Sequence, residues 1–491
     1  GVLVDTGLDL LKRRLPPAFA REIEEGLREG NLISLAGSQG MGSSLRMDRE
    51  DGVDGEGQDG VQEGRSGAGA LLDWLVSAYE EAEGISTDPQ QWMLAESADG
   101  ALDLLLRALV PGGGTVLVET PAAPEALELM RRRGIRAVPV ACDRDGMLPD
   151  DLRRKCEAAG GRPALAYVTP HFSNPSGRVW SRQRKLALLE FSERLGVPIV
   201  EDGTASLFPF AEEAEAGFGK ELEKPIKGSP ESQVKDNTKR MSGSVVPGEQ
   251  QAEDEVTREA NGKSQEEHTT IDEVQGKNVD VIKAEGAEGS ECRARGDTMS
   301  LHALRQQAGL WGAEILSLGS LERTLTPQLP LAWLRGEAKT MERLRRVPSP
   351  GSSSAAGAAV AERAGRLHAW LAQPAGRGRA AAAEAAAAYA ARRALALELL
   401  QAPAWRGACA EDPGGGLYLW LRLPAGVSSE ALLRASLLEG TAFLPGTLCY
   451  AKEPDDRFIR LTVAAHGPAR LREGLARLTA ALAEFTARSA D

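Results

Sequence analysis

Residues 164–208 read ALAYVTPHFSNPSGRVWSRQRKLALLEFSERLGVPIVEDGTASLF, and this stretch decides the fold. Its apolar opening, Ala164–Val168, closes at Pro170 and predicts a buried parallel strand. Ser173-Asn174-Pro175-Ser176-Gly177 follows as a turn whose Pro and Gly restrict the backbone. Ser181 caps a helix with Leu186, Leu189 and Phe191 on its apolar side, and Gly196-Val197-Pro198 stops it. A second strand, Ile199–Val200, runs straight into Glu201-Asp202. The result is a β-turn-α-β unit with polar residues at both strand exits, where open α/β sheets bind ligands.

The same rhythm extends toward the amino terminus. Helices over Gly67–Tyr79 and Asp99–Val110 lead to strand Thr115–Glu119, helix Pro124–Arg133, strand Ile135–Ala141 and helix Pro149–Ala159. Strands alternating with helices imply a mostly parallel sheet covered on both faces. Before it, Leu8–Leu27 reads as a helix and residues 41–66 as a Gly- and Asp-rich loop. Residues 211–298 break the pattern. Beyond Phe218 they hold no aromatic residue and are rich in Glu, Lys, Gly, Ser and Gln, a composition expected to stay disordered as an insertion. Order resumes at Ser300–Leu304 and Ala313–Ser320. Two Ala-rich helices follow, Ala355–Leu371 and Arg379–Leu400, then strand Leu417–Leu423, a helix near Ser429–Leu437, strand Phe458–Val463 and a helix from Pro468. The expected organisation is an arm and loop over 1–66, a large domain over 67–345 interrupted by 211–298, and a smaller α+β domain over 346–491.

The 491 residues, 42% of them apolar, exceed one compact core. A net charge of −13 with no dominant basic face argues against nucleic acid binding by this chain. The five cysteines have no CxxC or paired spacing, which fits reduced thiols and a cytoplasmic protein. No apolar run spans a membrane, and no clustered Cys, HxxxH or paired-carboxylate arrangement suggests a metal site.

The central stretch resembles the large domain of class I/II aminotransferases, the fold-type-I pyridoxal-phosphate (PLP) enzymes. The likeness is strongest to aminoadipate-type transaminases and to the aminotransferase-like domains of MocR regulators. It implies that Asn174 bonds the cofactor's phenolic oxygen and that Asp202 pairs with its pyridinium nitrogen. Taken singly, Asn174 reads as an Asx-turn and Asp202 as a strand-end cap; together, at this spacing, they favour the family. Asn31-Leu-Ile-Ser-Leu-Ala-Gly37 resembles the family's arm to the active site, and Gly414–Pro424, Ala442–Gly446 and Ile459–Ala464 resemble its small domain. The likeness spans most of 67–210 and 300–485, in collinear order, and implies a homodimer.

Against that pattern several positions differ. Ile315–Gly336 corresponds to the segment in which the family's lysine forms the Schiff base, and there Arg323 stands at the lysine's place and Pro330 at that of the phosphate-gripping Arg. A guanidinium stays protonated and is a very poor amine nucleophile. Thr204 stands for a Tyr, Ala123 for the ring-stacking Tyr, Glu322 for the Ser before the lysine, and Asp99 falls in the phosphate loop, where it would repel an anion. Ser320 retains a hydroxyl for an anion. Arg460 falls at the substrate-carboxylate position and reads equally as that contact or as a strand residue paired with a nearby Asp or Glu.

The reading is a catalytically degenerate aminotransferase-fold protein that senses an amino acid or 2-oxo acid in a MocR-like transcriptional regulator, PLP being the cofactor that the resemblance implies. Its alternatives are a working PLP-dependent aminotransferase and a decayed copy with no ligand role. Gly1-Val-Leu-Val4 faintly resembles the last strand of a GntR-type wing, so a DNA-binding winged helix is expected upstream.

Overall fold

The computed structural model describes residues 6–40, 67–110, 112–160, 162–211, 298–348, 354–373, 377–410 and 412–490. All of them fall within one compact unit. The loop expected over 41–66, residues 212–297 of the expected insertion, and Gly1–Val4 lie outside the described residues.

The chain begins with α1 (Thr6–Arg14), α2 (Pro17–Arg28) and β1 (Ile33–Ser34). The sequence suggested one helix over Leu8–Leu27; there are two, because Pro16 takes φ −53° and ψ 149°, outside the helical region. After α3 (Gly67–Glu83) the alternating series runs β2 (Trp92–Ala95), α4 (Ala98–Leu109), β3 (Thr115–Thr120), α5 (Pro124–Arg132), β4 (Arg136–Asp143) and β5 (Gly146–Met147). It continues with α6 (Pro149–Ala158), β6 (Leu165–Val168), α7 (Arg182–Leu195) and β7 (Ile199–Asp202). Then come α8 (Leu301–Ala308), β8 (Ile315–Ser320), β9 (Ala332–Arg335) and α9 (Ala338–Arg345). The C-terminal part holds α10 (Ser354–Leu371), α11 (Arg377–Leu399), β10 (Cys409–Ala410), β11 (Tyr418–Arg422) and α12 (Ser429–Leu438). Strands β12 (Thr441–Ala442), β13 (Leu444–Pro445) and β14 (Phe458–Thr462) precede the closing helix α13 (Pro468–Ala490).

One eight-stranded sheet has the order β2-β9-β8-β7-β6-β3-β4-β5. The run from β8 to β4 is parallel, as the β/α alternation predicts. Antiparallel strands β9, β2 and β5 complete the two edges. These edge strands are two to four residues long, too short to leave a period in the sequence. Side-chain alternation sorts the core. Val118, Tyr167, Val200 and Leu318 turn toward α4, α5 and α9, whereas Leu117, Ala166, Ile199 and Ile315 turn toward α6, α7 and α8. Both faces are therefore covered, and the strands read as continuous apolar runs.

A second, four-stranded antiparallel sheet, β10-β11-β14-β13, belongs to the C-terminal part. Its apolar face packs with α12 and α13 and also with Leu8, Leu11 and Ile23 of α1 and α2. Strand β1 pairs in parallel with β12, so residues 8–36 are built into the C-terminal layer. From β1 the chain runs on through residues 36–40 toward the carboxyl ends of the parallel strands. At those ends the turn after β6 meets the loop before β11. Gly177 there has φ +70°, and a Cβ on it would sit 2.5 Å from a carbon of Pro413.

Candidate functional site

Strand β7 ends at Asp202, whose side chain shares the face of Val200 and so points toward α4 and α5. From the neighbouring β6, the Tyr167 hydroxyl donates to Asp202 Oδ2 at 2.5 Å. Thr204 donates to Oδ1 twice, from its amide at 2.9 Å and its hydroxyl at 2.6 Å. The Thr204 oxygen accepts from Arg323 Nη1 at 3.1 Å, and Arg323 Nη2 reaches Asp99 Oδ1 at 2.8 Å. One continuous relay thus runs Tyr167–Asp202–Thr204–Arg323–Asp99. Burial, with Asp202 adding to it, pushes the Tyr167 phenol well above its ordinary range. Burial works to lower Arg323, but Asp99 and Asp202 outweigh it, so the guanidinium is held even more firmly protonated.

The amino end of α4 faces this relay. Ser97 is its N-cap, accepting from the Gly100 amide at 3.0 Å, and Glu322 Oε2 accepts from the Ala98 amide at 3.0 Å. A carboxylate of the chain itself thus serves one of the open amides of that helix end, where anions are favoured. Burial foremost raises the Glu322 carboxyl, with Asp99 adding to it and the Ala98 amide and Arg323 opposing. The Ser320 hydroxyl donates to the Leu331 carbonyl at 2.7 Å and accepts from the Glu322 amide at 3.0 Å. Its single proton is therefore committed to the backbone.

Arg460, on β14, closes the other side and is fully buried. Nη1 and Nη2 each lie 3.1 Å from Glu125 Oε1. Nη1 also donates to Asn174 Oδ1 at 2.8 Å, and Nη2 to the Ala36 carbonyl at 2.9 Å. Asn174 completes the triangle by donating from Nδ2 to Glu125 Oε2 at 3.1 Å. The guanidinium carbon lies 4.5 Å from the centre of the Tyr418 ring, whose hydroxyl donates to the Ser38 carbonyl at 2.8 Å. Pro124 starts α5 and puts Glu125 in its first turn, where the helix dipole favours a carboxylate. Burial would raise Glu125, yet Arg460 and Arg323 together hold it below the usual carboxylate value.

The turn that carries Asn174 is anchored from β3. Buried Glu119 accepts from the Thr169 amide and hydroxyl, both at 2.7 Å, from Ser173 Oγ at 3.2 Å and from Trp180 Nε1 at 3.0 Å. Its carboxyl is raised, because burial exceeds the effect of those donors.

Of the residues singled out in the sequence, Asn174 and Arg460 bond one another, Asp202 and Arg323 share Thr204, and both arginines act on Glu125. Ser320 lies beside them with its hydroxyl turned to backbone. Ala123 is buried in the apolar cluster of α4 and α5. His171 meets Lys185, whose Nζ lies 2.8 Å from its Nε2 and donates to the Met299 carbonyl at 2.8 Å. Lys185, the buried lysine among the described residues, sits with Glu201 on the α7 and α8 face, opposite to Asp202. The sequence reading missed Glu125, Tyr167, Tyr418 and Glu119. Only the carboxylate directly after a helix-starting Pro124 could have flagged one of them. Among the described residues no group of His, Cys, Asp and Glu suits a metal ion, and no helix is long and apolar enough to cross a membrane.

No family model matches the sequence. Among curated proteins, the uncharacterized HTH-type transcriptional regulator YdfD of Bacillus subtilis is 22% identical over 416 residues, 84% of this chain and 65% of YdfD. The chain thus spans less than two thirds of that relative. Aromatic-amino-acid aminotransferase 1 of Thermococcus litoralis is 21% identical, covering 84% of this chain and 77% of the enzyme. The probable rhizopine catabolism regulatory protein MocR of Rhizobium meliloti is 31% identical over 136 residues, 28% of this chain and 26% of that protein. Among solved structures, the α-aminoadipate aminotransferase LysN of Thermus thermophilus superposes with a TM-score of 0.62 at 21% identity, over 97% of this chain and 99% of LysN. This chain therefore has the fold of the fold-type-I PLP aminotransferases, and its relatives are aminotransferases and MocR/GntR-type regulators.

Proposed function

We propose that this chain is a catalytically degenerate aminotransferase-fold domain that senses an amino acid or 2-oxo acid in a MocR-like transcriptional regulator. One observation carries the reading. Arg323, which the resemblance sets at the lysine's place, is a buried guanidinium held between Thr204 and Asp99. It can neither lose its proton nor add to an aldehyde. The neighbouring residues agree with it. Glu322 puts a carboxylate against the first amide of α4, and exposed Asp99 adds a second beside it. A phosphate entering there would meet like charge at close range. Residues so arranged do not fit PLP. The HTH-type regulator YdfD, which extends well beyond the matched region, supports a regulatory role. DNA contact would then belong to a winged-helix domain outside this chain, and a cytoplasmic homodimer goes with the reading.

The test is reductive trapping. The full chain is mixed with PLP and reduced with borohydride, and every lysine-bearing peptide is weighed, with the lysine-free peptide Ala313–Arg335 as the control. No pyridoxyl adduct is expected. A stoichiometric, saturable adduct on any lysine overturns the proposal and favours the alternative, a working aminotransferase. The bond between Asn174 and Arg460, with Asp202 at the end of β7, is the observation on that side.

A further inference from the structure

Arg460 is a fully buried guanidinium, and the chain fills its fork itself. Glu125 Oε1 takes both terminal nitrogens at 3.1 Å, and Asn174 bridges the two partners, accepting from Arg460 at 2.8 Å and donating to Glu125 at 3.1 Å. Both side chains are buried, and two arginines hold Glu125 in its charged form. The contact also joins three separate parts of the fold: α5 against the large sheet, β14 of the small sheet, and the Ala36 carbonyl of the amino-terminal segment.

We infer that Glu125 is a built-in competitor for Arg460, so that a small-molecule carboxylate enters this cleft by displacing the Glu125 side chain. The inference rests on the ligand-sensing reading and names its switch. A buried guanidinium without a carboxylate is strongly unfavourable, so the fork is always filled, by Glu125 or by a ligand. Exchange between the two changes what ties α5 to β14. With Glu125 seated, its ion pair with Arg460 ties α5 to β14, and Arg460 carries the tie on to the Ala36 carbonyl. With a ligand seated, that ion pair is gone and α5 loses this tie to β14, while Arg460 keeps the Ala36 carbonyl. Glu125 also sets specificity. It excludes weak monocarboxylates, and admits a ligand only when further contacts in the cleft add to its carboxylate.

The experiment compares the wild-type chain with Glu125→Gln and Glu125→Ala by calorimetry, using acetate and 2-oxoglutarate as probes. Both variants are expected to bind at least one probe about tenfold or more tightly than wild type, because the internal competitor is gone. Adding Arg460→Gln to either variant is expected to abolish the gain. Glu125→Gln keeps the side-chain volume and one acceptor oxygen for Arg460, so it serves if the Ala variant does not fold. Equal affinity for wild type and both Glu125 variants overturns the inference, as does no binding by either variant, or a gain that survives loss of Arg460. None of these outcomes bears on PLP trapping, so failure here is distinguishable from failure of the proposed function.

Discussion

At the scale of single residues, the Arg460–Glu125 pair makes a pH-dependent contribution whose sign follows from the carboxyl. Burial alone would raise Glu125; Arg460 and Arg323 reverse this and lower it from its ordinary 4.5. A carboxyl with a lowered folded value stabilises the fold above the unfolded value and loses that stabilisation as pH falls through the folded one. Wild type should therefore exceed Glu125→Gln in urea stability at pH 7, by about 1–3 kcal/mol, the usual cost of weakening a buried hydrogen-bonded charge. The two should converge in acid, below the lowered value, where Glu125 is neutral. A difference that persists or grows in acid would show that the charge is not what matters. This pair was half legible in the sequence. Arg460 could be read as a ligand contact or as a paired strand residue, but no period or spacing links position 460 to position 125. The two meet because β14 and α5 come together in the fold, and sequence distance carries no trace of it.

At the scale of elements, the β-turn-α-β unit was readable almost to its ends. Ser181 accepts from Arg184 N at 3.4 Å as the cap of α7, and Gly196 closes that helix at φ 63°. Such capping chemistry is local, so it survives in the sequence. What escaped reading depends on partners far along the chain: β2 and β9 pair only with each other and β8, and Glu322 finds the Ala98 amide 224 positions away. That helix end makes its own prediction. The start of α4 is held by Ser97 from within and by Glu322 from across the cleft. Ser97→Ala should cost about 1 kcal/mol, the typical value for losing an N-cap side chain. Chemical denaturation measures it. A loss near zero would mean that Glu322 and solvent suffice for those amides.

At the scale of the whole molecule, α1, α2 and β1 hold the C-terminal layer together. Leu8, Leu11 and Ile23 are almost completely buried in one cluster with Leu419, Leu461 and Leu478. Leu11→Ala should cost about 2–5 kcal/mol by leaving a cavity in that cluster. Removing residues 1–28 should prevent recovery of a folded protein, since burying even three such side chains contributes about 4–9 kcal/mol, a large share of the stability of a domain. Urea melts of the first and soluble yield of the second check these outcomes. A truncated chain that melts like the full one would mean that the cluster closes without α1 and α2. The relay from Tyr167 to Asp99 has a consequence of another kind, for the paths open to the sequence by mutation. Arg323→Lys surrenders the planar fork that serves Thr204 and Asp99 at once. Asp99→Ala strips a buried guanidinium of its carboxylate, and Glu322→Ser deprives the Ala98 amide of its acceptor. Each step toward a lysine-bearing, phosphate-accepting cleft passes through a less stable protein unless the others are taken with it. The arrangement behaves as a ratchet: the way back is uphill one substitution at a time, and only a concerted change would cross it.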